Sequence, residues 1–392
     1  MLRRHLVQAA SLTAIALALP LVAQAQDNTF KIGMILPMTG QSASTGRQIE
    51  AAARLYMAQH GDTVAGKKVQ LIVKDDTGLP DVTKRIAQEL VVNDKVNVLA
   101  GFGLTPLALA VAPVATQAKV PEVVMAAGTS TITEASPYIV RSSFTVAQSV
   151  VPMAEWAAKN GMKKVVTIVT DFAPGLDAEK VFSESFTKAG GKVENVRVPL
   201  RNPDFAPFLQ RAADEKPDAI FVFVPSGAGT QLMKQYAERG LDKSGIKLIG
   251  TGDMTDDDIL NDMGDVALGV ITAQFYSAAH PSAENKAFVD AFKKANKGMR
   301  PNFMAVGGYD GMHLIYEALK KTNGNTDGDA LVAAMKSMAW TSPRGPISID
   351  PATRDIVQNI YVRKVEKVGG ELYNVEFATI PNVKDPVKAA KQ

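Results

Sequence analysis

The chain has 392 residues, 46% of them hydrophobic and 21% charged, with a net charge of +3. That composition excludes a disordered or fibrous chain and provides ample core for one or two domains. Cysteine is absent, which excludes disulfides, cysteine-based zinc sites and cysteine nucleophiles.

Residues 1–25 read as a secretory signal. Arg3 and Arg4 form the basic start, an apolar stretch runs from Ala9 to Val22, and Ala23-Gln24-Ala25 is a small-x-small cleavage site. No cysteine follows that site, so no lipid anchor is expected. Cleavage after Ala25 removes two cations and leaves 41 basic against 40 acidic residues. Such balance argues against nucleic acid or an acidic membrane surface as a partner. No later apolar run approaches the ~18 residues of a membrane span. The mature chain is expected to be secreted and soluble.

Phe30 to Pro37 reads as a first strand, followed by a small polar loop from Thr39 to Gly46 that includes Thr45. Arg47 to His60 is a helix with Ile49, Ala52, Ala53 and Tyr56 on one face. A strand at Lys68 to Val73 ends in Asp75-Asp76-Thr77-Gly78, and Asp81 to Asn93 is the next helix.

The stretch Asn97 to Ser130 carries the most information. An apolar run, Val96 to Leu99, ends in the turn Gly101-Phe102-Gly103. A helical pattern through Leu107, Ala110, Val111 and Val114 follows, and Pro121 restarts the chain as a second apolar run, Val123 to Ala126. That run ends in Gly128-Thr129-Ser130. In a parallel sheet both turns lie at the carboxyl ends of the strands, where open α/β sheets bind ligands. Their hydroxyls and backbone N–H groups are neutral donors suited to a carboxylate. Thr105 is either such a donor or only a helix cap, with Pro106 at the first helical position.

A second strand-helix series begins near Ala147. Its helices are Ser149–Asn160, Asp177–Ala189, one from about Asp204, and Gly229–Arg239. Its strands are Lys164–Thr170, Lys192–Leu200, Asp218–Val224 and Lys247–Ile249. The turns after these strands are Asp171-Phe172-Ala173-Pro174-Gly175, Pro225-Ser226-Gly227 and Gly250-Thr251-Gly252-Asp253. After Phe275-Tyr276 three helices follow, Ala283–Asn296, Phe303–Lys321 and Asp327–Met338. A strand at Pro346–Asp350 comes next, then a hairpin turning at Gly369-Gly370. The tail beyond 381 is polar and expected to fray. A repeated strand-helix order makes the fold class α/β, with doubly wound parallel sheets.

Catalytic signatures are missing. The four histidines have no metal-ligand spacing, Gly-x-Ser-x-Gly and a Walker loop are absent, and Gly101-Phe102-Gly103 lacks the third glycine of a dinucleotide fingerprint. Asp256-Asp257-Asp258 reads as a helix start, where negative charge is favourable. No nucleophile-base pair supports an enzyme.

The exported chain with two α/β series resembles the periplasmic solute-binding proteins of ABC transporters, of the branched-chain amino-acid-binding (Leu/Ile/Val-binding) type. The resemblance rests on Ile32-Gly33 to Thr39-Gly40 with Gly46, on Asp75-Asp76, on the Gly101 turn, on Ala127-Gly128-Thr129 and on Gly307-Gly308-Tyr309-Asp310. It implies a type I periplasmic binding protein: two lobes joined by a three-crossing hinge, near Arg141–Ala147, near Phe275-Tyr276 and near Asp350. The first lobe then holds 27–146 plus 277–349, and the second 147–276 plus 350–380. The resemblance puts the carboxylate grip on Leu104, Thr105, Ala127, Gly128 and Thr129, and the acid that meets an α-ammonium on or near Asp253. Family aromatic positions fall near Thr45, near Pro174 with Phe172 beside it, and near Ser226. Loss of those rings opens the cleft to an aromatic or otherwise bulky carboxylate. Asp253 can be an ammonium partner, a hydroxyl acceptor or a helix cap.

The implied function is delivery of a small organic acid or amino acid to an inner-membrane ABC permease by a monomer with no cofactor and no metal. A secreted enzyme and a ligand-sensing module on the same fold are the competing classes. The sensor reading requires a following transmembrane helix.

Overall fold

A computed structural model describes residues 28–201 and 203–391. The expected signal, 1–25, lies outside the described residues. The first series is β1 (Thr29–Leu36), α1 (Ala43–His60), β2 (Thr63–Val64), β3 (Lys67–Asp75), α2 (Pro80–Glu89), β4 (Val98–Gly101), α3 (Thr105–Ala118), β5 (Glu122–Val124) and β6 (Ile139–Arg141). These strands form one sheet in the order β2-β3-β1-β4-β5-β6. β1 lies at its centre, parallel to β3 and β4, with Ile32 opposite Leu71 on one side and Val98 on the other. A strand covered on both faces must be apolar on both, and Phe30, Ile32, Met34, Ile35 and Leu36 are fully buried.

The second series is α4 (Val146–Lys159), β7 (Lys164–Thr170), α5 (Ala173–Lys188), β8 (Lys192–Val198), α6 (Ala206–Asp214), β9 (Ala219–Phe223), α7 (Gly229–Glu238), β10 (Lys247–Thr251) and β11 (Ile271–Gln274). Three helices follow: α8 (Ala283–Ala295), α9 (Phe303–Lys321) and α10 (Gly328–Met335). The chain ends in β12 (Ala339–Ser342), β13 (Gly345–Ile349), β14 (Ile356–Val368), β15 (Glu371–Val383) and α11 (Pro386–Ala389). The second sheet runs β12-β13-β14-β11-β10-β9-β7-β8, with β15 on β14. The molecule is therefore two doubly wound α/β halves, each built on its own mostly parallel sheet.

α9 returns to the first half and packs along α1. Gly307 and Gly308 permit that approach. A Cβ at 307 would lie 2.3 Å from the Met125 carbonyl oxygen, and one at 308 would lie 2.9 Å from that of Ile49.

Several elements differ from the sequence expectation. The helix expected at Asp177 begins at Ala173 because Pro174 fits its first turn. The short strands β6 and β11 carry no alternation long enough to read. Residues 339–349, which the resemblance gave to the first lobe, pair into the second sheet. β13 meets β14 as an antiparallel neighbour, Ile347 opposite Gln358 and Ile349 opposite Ile356, so a short local turn joins them. The tail does not fray: β15 continues to Val383, and Lys388 is buried with its Nζ 2.6 Å from Asp355 Oδ2. Nor does Asp256 start a helix. The next helical turns run from Leu260 to Ala267, and the Asp256 carboxylate faces other side chains.

Where the chain passes between halves, buried ion pairs hold it. Arg141 Nε lies 3.2 Å from Asp355 Oδ1, and Arg344 Nη2 lies 2.7 Å from Asp310 Oδ2. Arg344 also donates to the Ser143 carbonyl and to Gln358 Oε1, each at 2.8 Å.

Candidate functional site

β4 ends in a turn that the backbone fixes tightly. Gly101 has φ +108°, and a Cβ there would sit 2.4 Å from the Ile35 carbonyl oxygen, so only glycine fits. Phe102 is also left-handed, φ +66°, and fully buried. Its N–H donates to Ile35 O at 3.0 Å and its carbonyl accepts from Ala127 N at 3.1 Å. The turn thereby ties the end of β1 to the segment after β5. A non-glycine residue held at positive φ costs free energy, and such strain collects at functional sites.

α3 starts directly after this turn, with Leu104 at its N-cap and Pro106 in its first turn. No side chain caps it. Thr105 instead points its hydroxyl at Thr129, donating to Thr129 Oγ1 at 3.0 Å in a buried setting. The helix-cap reading of Thr105 is thus overturned. Pro106 has no N–H and Leu107 N donates to the Leu104 carbonyl at 3.0 Å, so at the start of α3 the Thr105 N–H is left without a partner in the helix, and the helix dipole adds to its pull on an anion.

These groups face a cavity of about 40 Å³ between the halves. From the first half it is lined by Ser42, Thr45, Gly103, Leu104, Thr105, Ala127, Gly128 and Met304, and Phe144 and Val146 line it where the chain passes into α4. From the second half come Phe172, Pro174, Phe223, Pro225, Ser226 and Asp253. The walls are largely apolar and aromatic. Phe172 and Phe223 stack with centroids 6.3 Å apart, and Phe144 is backed by Phe275 at 5.2 Å and Phe303 at 5.8 Å. Gly128 makes room for that cluster, since a Cβ there would meet the Phe144 ring at 3.1 Å. Two of the larger depressions, about 510 Å³ beside Asp218 and about 770 Å³ beside Asp177, share no lining residue with the cleft.

The polar groups divide by half. On the second half, Ser226 donates its proton to the Asp256 carboxylate, which leaves a Ser226 lone pair as its remaining group. Asp253 is 4% exposed. Its Oδ2 accepts from Thr251 Oγ1 at 2.9 Å and from Gln274 Nε2 at 3.3 Å. Burial pushes its carboxyl up to about 6, against the opposing pull of the Thr251 hydroxyl and the Arg363 charge. Burial likewise pushes Asp256 up to about 7, with the neighbouring Asp258 charge adding to it. Both acids are acceptors in their ionised form.

Nine of the ten residues named from the sequence line this cavity: Thr45, Leu104, Thr105, Ala127, Gly128, Phe172, Pro174, Ser226 and Asp253. Thr129 does not. Its hydroxyl is engaged with Thr105, it helps stabilise the Asp177 carboxylate, and its carbonyl accepts from Arg141 Nη2 at 2.7 Å. Phe144, Phe223 and Met304 escaped sequence reasoning. Phe223 ends an apolar run that reads as core, Phe144 follows two serines and Met304 opens a helix, and only the fold brings the three to the cleft.

Residues 29–370 match the family model described as periplasmic binding protein. The Leu/Ile/Val-binding protein homolog 6 of Brucella abortus (strain 2308) is 44% identical over 381 residues, covering 96% of this chain and 98% of that one. Two solved structures are close in fold. One is the solute-binding protein of an ABC transporter from Rhodopseudomonas palustris BisB5 in complex with 3,4-dihydroxybenzoic acid. It is 70% identical with a TM-score of 0.91, over 92% of this chain and 99% of that one. The other, from R. palustris HaA2 in complex with p-hydroxybenzoic acid, is 44% identical with a TM-score of 0.89, over 93% and 100%. With its fold, its interlobe cleft and these matches together, the chain belongs to the periplasmic binding protein family.

Proposed function

We propose that this protein is the solute-binding component of an ABC importer and that its ligand is a hydroxylated aromatic carboxylate. One observation carries the reading: the cleft has hydrogen-bond donors on its first-half wall, acceptors on its second-half wall and aromatic rings in its lining. At the first-half end, the α3 N-terminus offers N–H donors and a positive dipole end to a carboxylate. At the second-half end, Asp253 and Ser226 present acceptors, which suit a ring hydroxyl. Phe144, Phe172 and Phe223 line the same cavity and offer ring faces to a flat aromatic ligand. The two Rhodopseudomonas proteins with dihydroxy- and hydroxybenzoic acid bound support the same ligand class.

The carboxylate is held chiefly by backbone N–H groups of Leu104, Thr105 and Gly128, with Thr129 orienting Thr105 from behind. Asp253 accepts from the ligand hydroxyl. The ligand is handed to a permease of the inner membrane, and the protein acts as a monomer exported after cleavage at Ala25. It binds its ligand without turning it over.

An amino-acid ligand is the second reading, favoured by the same Asp253, whose carboxylate could meet an α-ammonium. The aromatic lining of the cleft weighs against it. Mass spectrometry of ligand released from protein purified under non-denaturing conditions tests the assignment. The expected species is an intact hydroxybenzoate. Recovery of a branched-chain amino acid would contradict the aromatic reading, and recovery of a chemically altered ligand would contradict the binding-only role.

A further inference from the structure

Along the α9 edge of the cleft, three side chains of the first half reach the second without lining the ligand cavity. Ser44 donates to Asp258 Oδ2 at 2.6 Å. Asn302 caps α9, its Oδ1 accepting from Met304 N at 3.0 Å and Ala305 N at 3.1 Å, while its Nδ2 donates to Asp256 Oδ2 at 2.9 Å. Arg300 goes furthest. Its Nη1 donates to the Leu372 carbonyl at 2.6 Å, its Nη2 lies 3.1 Å from Glu371 Oε2, and its guanidinium sits 4.0 Å above the Tyr373 ring. Leu372 and Tyr373 lie on β15, a strand of the second sheet.

The segment that carries Arg300 and Asn302 is anchored to the first half. Gln48 of α1 donates from Nε2 to the Arg300 carbonyl at 2.9 Å and accepts from Asn302 N at 3.2 Å. Gln48 is itself fully buried. A movement that parts the halves must therefore break the contacts to β15 and Asp256, because the root of the segment cannot follow. Arg300 is only 7% exposed, and its planar fork meets a carbonyl, a carboxylate and a ring at once.

We propose that Arg300, with Asn302, is a clasp that sets how long the cleft stays shut, and so governs ligand release without touching the ligand. Arg300 is a positioning residue: it stabilises the closed form alone, and a group that favours one of two states shifts their populations by that differential. Contacts that form only on closure are absent from the encounter step, so their loss appears in the dissociation rate. The clasp rests on the reading of a ligand-closing cleft given above.

The test uses the full chain with 3,4-dihydroxybenzoate as probe, in wild type, Arg300→Lys and Arg300→Ala. Stopped-flow measurements give both rate constants. Because the chain has no cysteine, Gln117→Cys and Glu194→Cys place one spin label on each half for pulsed distance measurements without ligand. Arg300→Ala is expected to raise the dissociation rate about 10- to 100-fold and to change the association rate by less than about threefold. Its interlabel distances should shift away from the wild-type distribution. Arg300→Lys, which keeps the charge but not the fork, should fall between the two. Unchanged dissociation together with unchanged distances would overturn the clasp. Should wild type not bind 3,4-dihydroxybenzoate, the ligand reading fails by itself, and the clasp then stands or falls on the distances alone.

Discussion

At the hinge, Asp310 and Asp355 are each 1% exposed and each lies in an ion pair with a buried arginine, Arg344 at 2.7 Å and Arg141 at 3.2 Å. At the cleft, Asp253 and Asp256 are buried almost as deeply, 4% and 2% exposed, yet neither is in an ion pair among the described residues. The hinge acids have their charge neutralised inside the protein, and their partners also grip backbone carbonyls from several segments. The cleft acids rely on neutral donors such as Thr251 and Ser226, and burial raises both. A paired buried acid fixes geometry. An unpaired one lowers stability at neutral pH and keeps an acceptor for whatever enters or closes the site.

The largest effect should come from breaking the paired region. Arg344→Met leaves Asp310 buried without its cation, and removing one partner of a buried pair costs about 3–5 kcal/mol. Urea unfolding should show that loss, and adding Asp310→Asn should recover part of it. A midpoint unmoved by Arg344→Met would remove the hinge side of the comparison.

Asp253 should behave in the opposite sense. Its carboxyl is raised from 3.8 to about 6 in the folded chain, so folding favours the protonated form. Its contribution to stability is fullest below about pH 4 and is lost as pH climbs toward 6, a difference of about 3 kcal/mol. Asp253→Asn should therefore stabilise the ligand-free protein at pH 7 by up to about that amount. The gain should vanish near pH 4, where wild type is already neutral. Thermal unfolding at the two pH values checks it. A variant less stable than wild type at pH 7 would show that the ionised carboxylate supports the fold.

A smaller effect is expected at Thr129, where the two regions meet. The hinge residue Arg141 holds its carbonyl and Thr105 of the cleft holds its hydroxyl. Thr129→Val keeps the shape, removes the acceptor for Thr105, and should weaken ligand about tenfold, as for one lost hydrogen bond. Calorimetry at unchanged unfolding midpoint is the measurement. Unchanged affinity would separate Thr129 from the site.

The sequence made one of these regions far more readable than the other. Turns such as Gly101-Phe102-Gly103, Ala127-Gly128-Thr129 and Gly250-Thr251-Gly252-Asp253 follow apolar strands directly, so period and turn chemistry place them at one sheet edge. The hinge depends on partners far apart in the chain, Arg344 with Ser143 and Lys388 with Asp355, and no local pattern links them. The same reason hid Lys388, which reads as part of a polar tail until Asp355 is brought to it. Asp256 misled for a different reason. Three acids in a row favour a helix start, but Ser226 and Asn302 draw this carboxylate across the cleft edge instead. Among the ring residues of the cleft, Phe172 announced itself within a polar turn, whereas Phe223 ends a buried strand and looks like any core residue.

The central claim is that one end of the cleft reads a carboxylate while an unpaired Asp253 at the other reads a ring hydroxyl. Calorimetric titration of wild type and Asp253→Asn with 3,4-dihydroxybenzoate, 4-hydroxybenzoate, benzoate and leucine, at about pH 5 and about pH 7.5 around the value of about 6 for this carboxyl, tests it most directly. The hydroxylated acids should bind wild type more tightly than benzoate or leucine. Their affinity should fall by up to about tenfold at the lower pH as Asp253 takes up a proton, and that pH dependence should disappear in Asp253→Asn. Leucine binding tightest, or benzoate matching the hydroxybenzoates with no dependence on pH, would contradict the account.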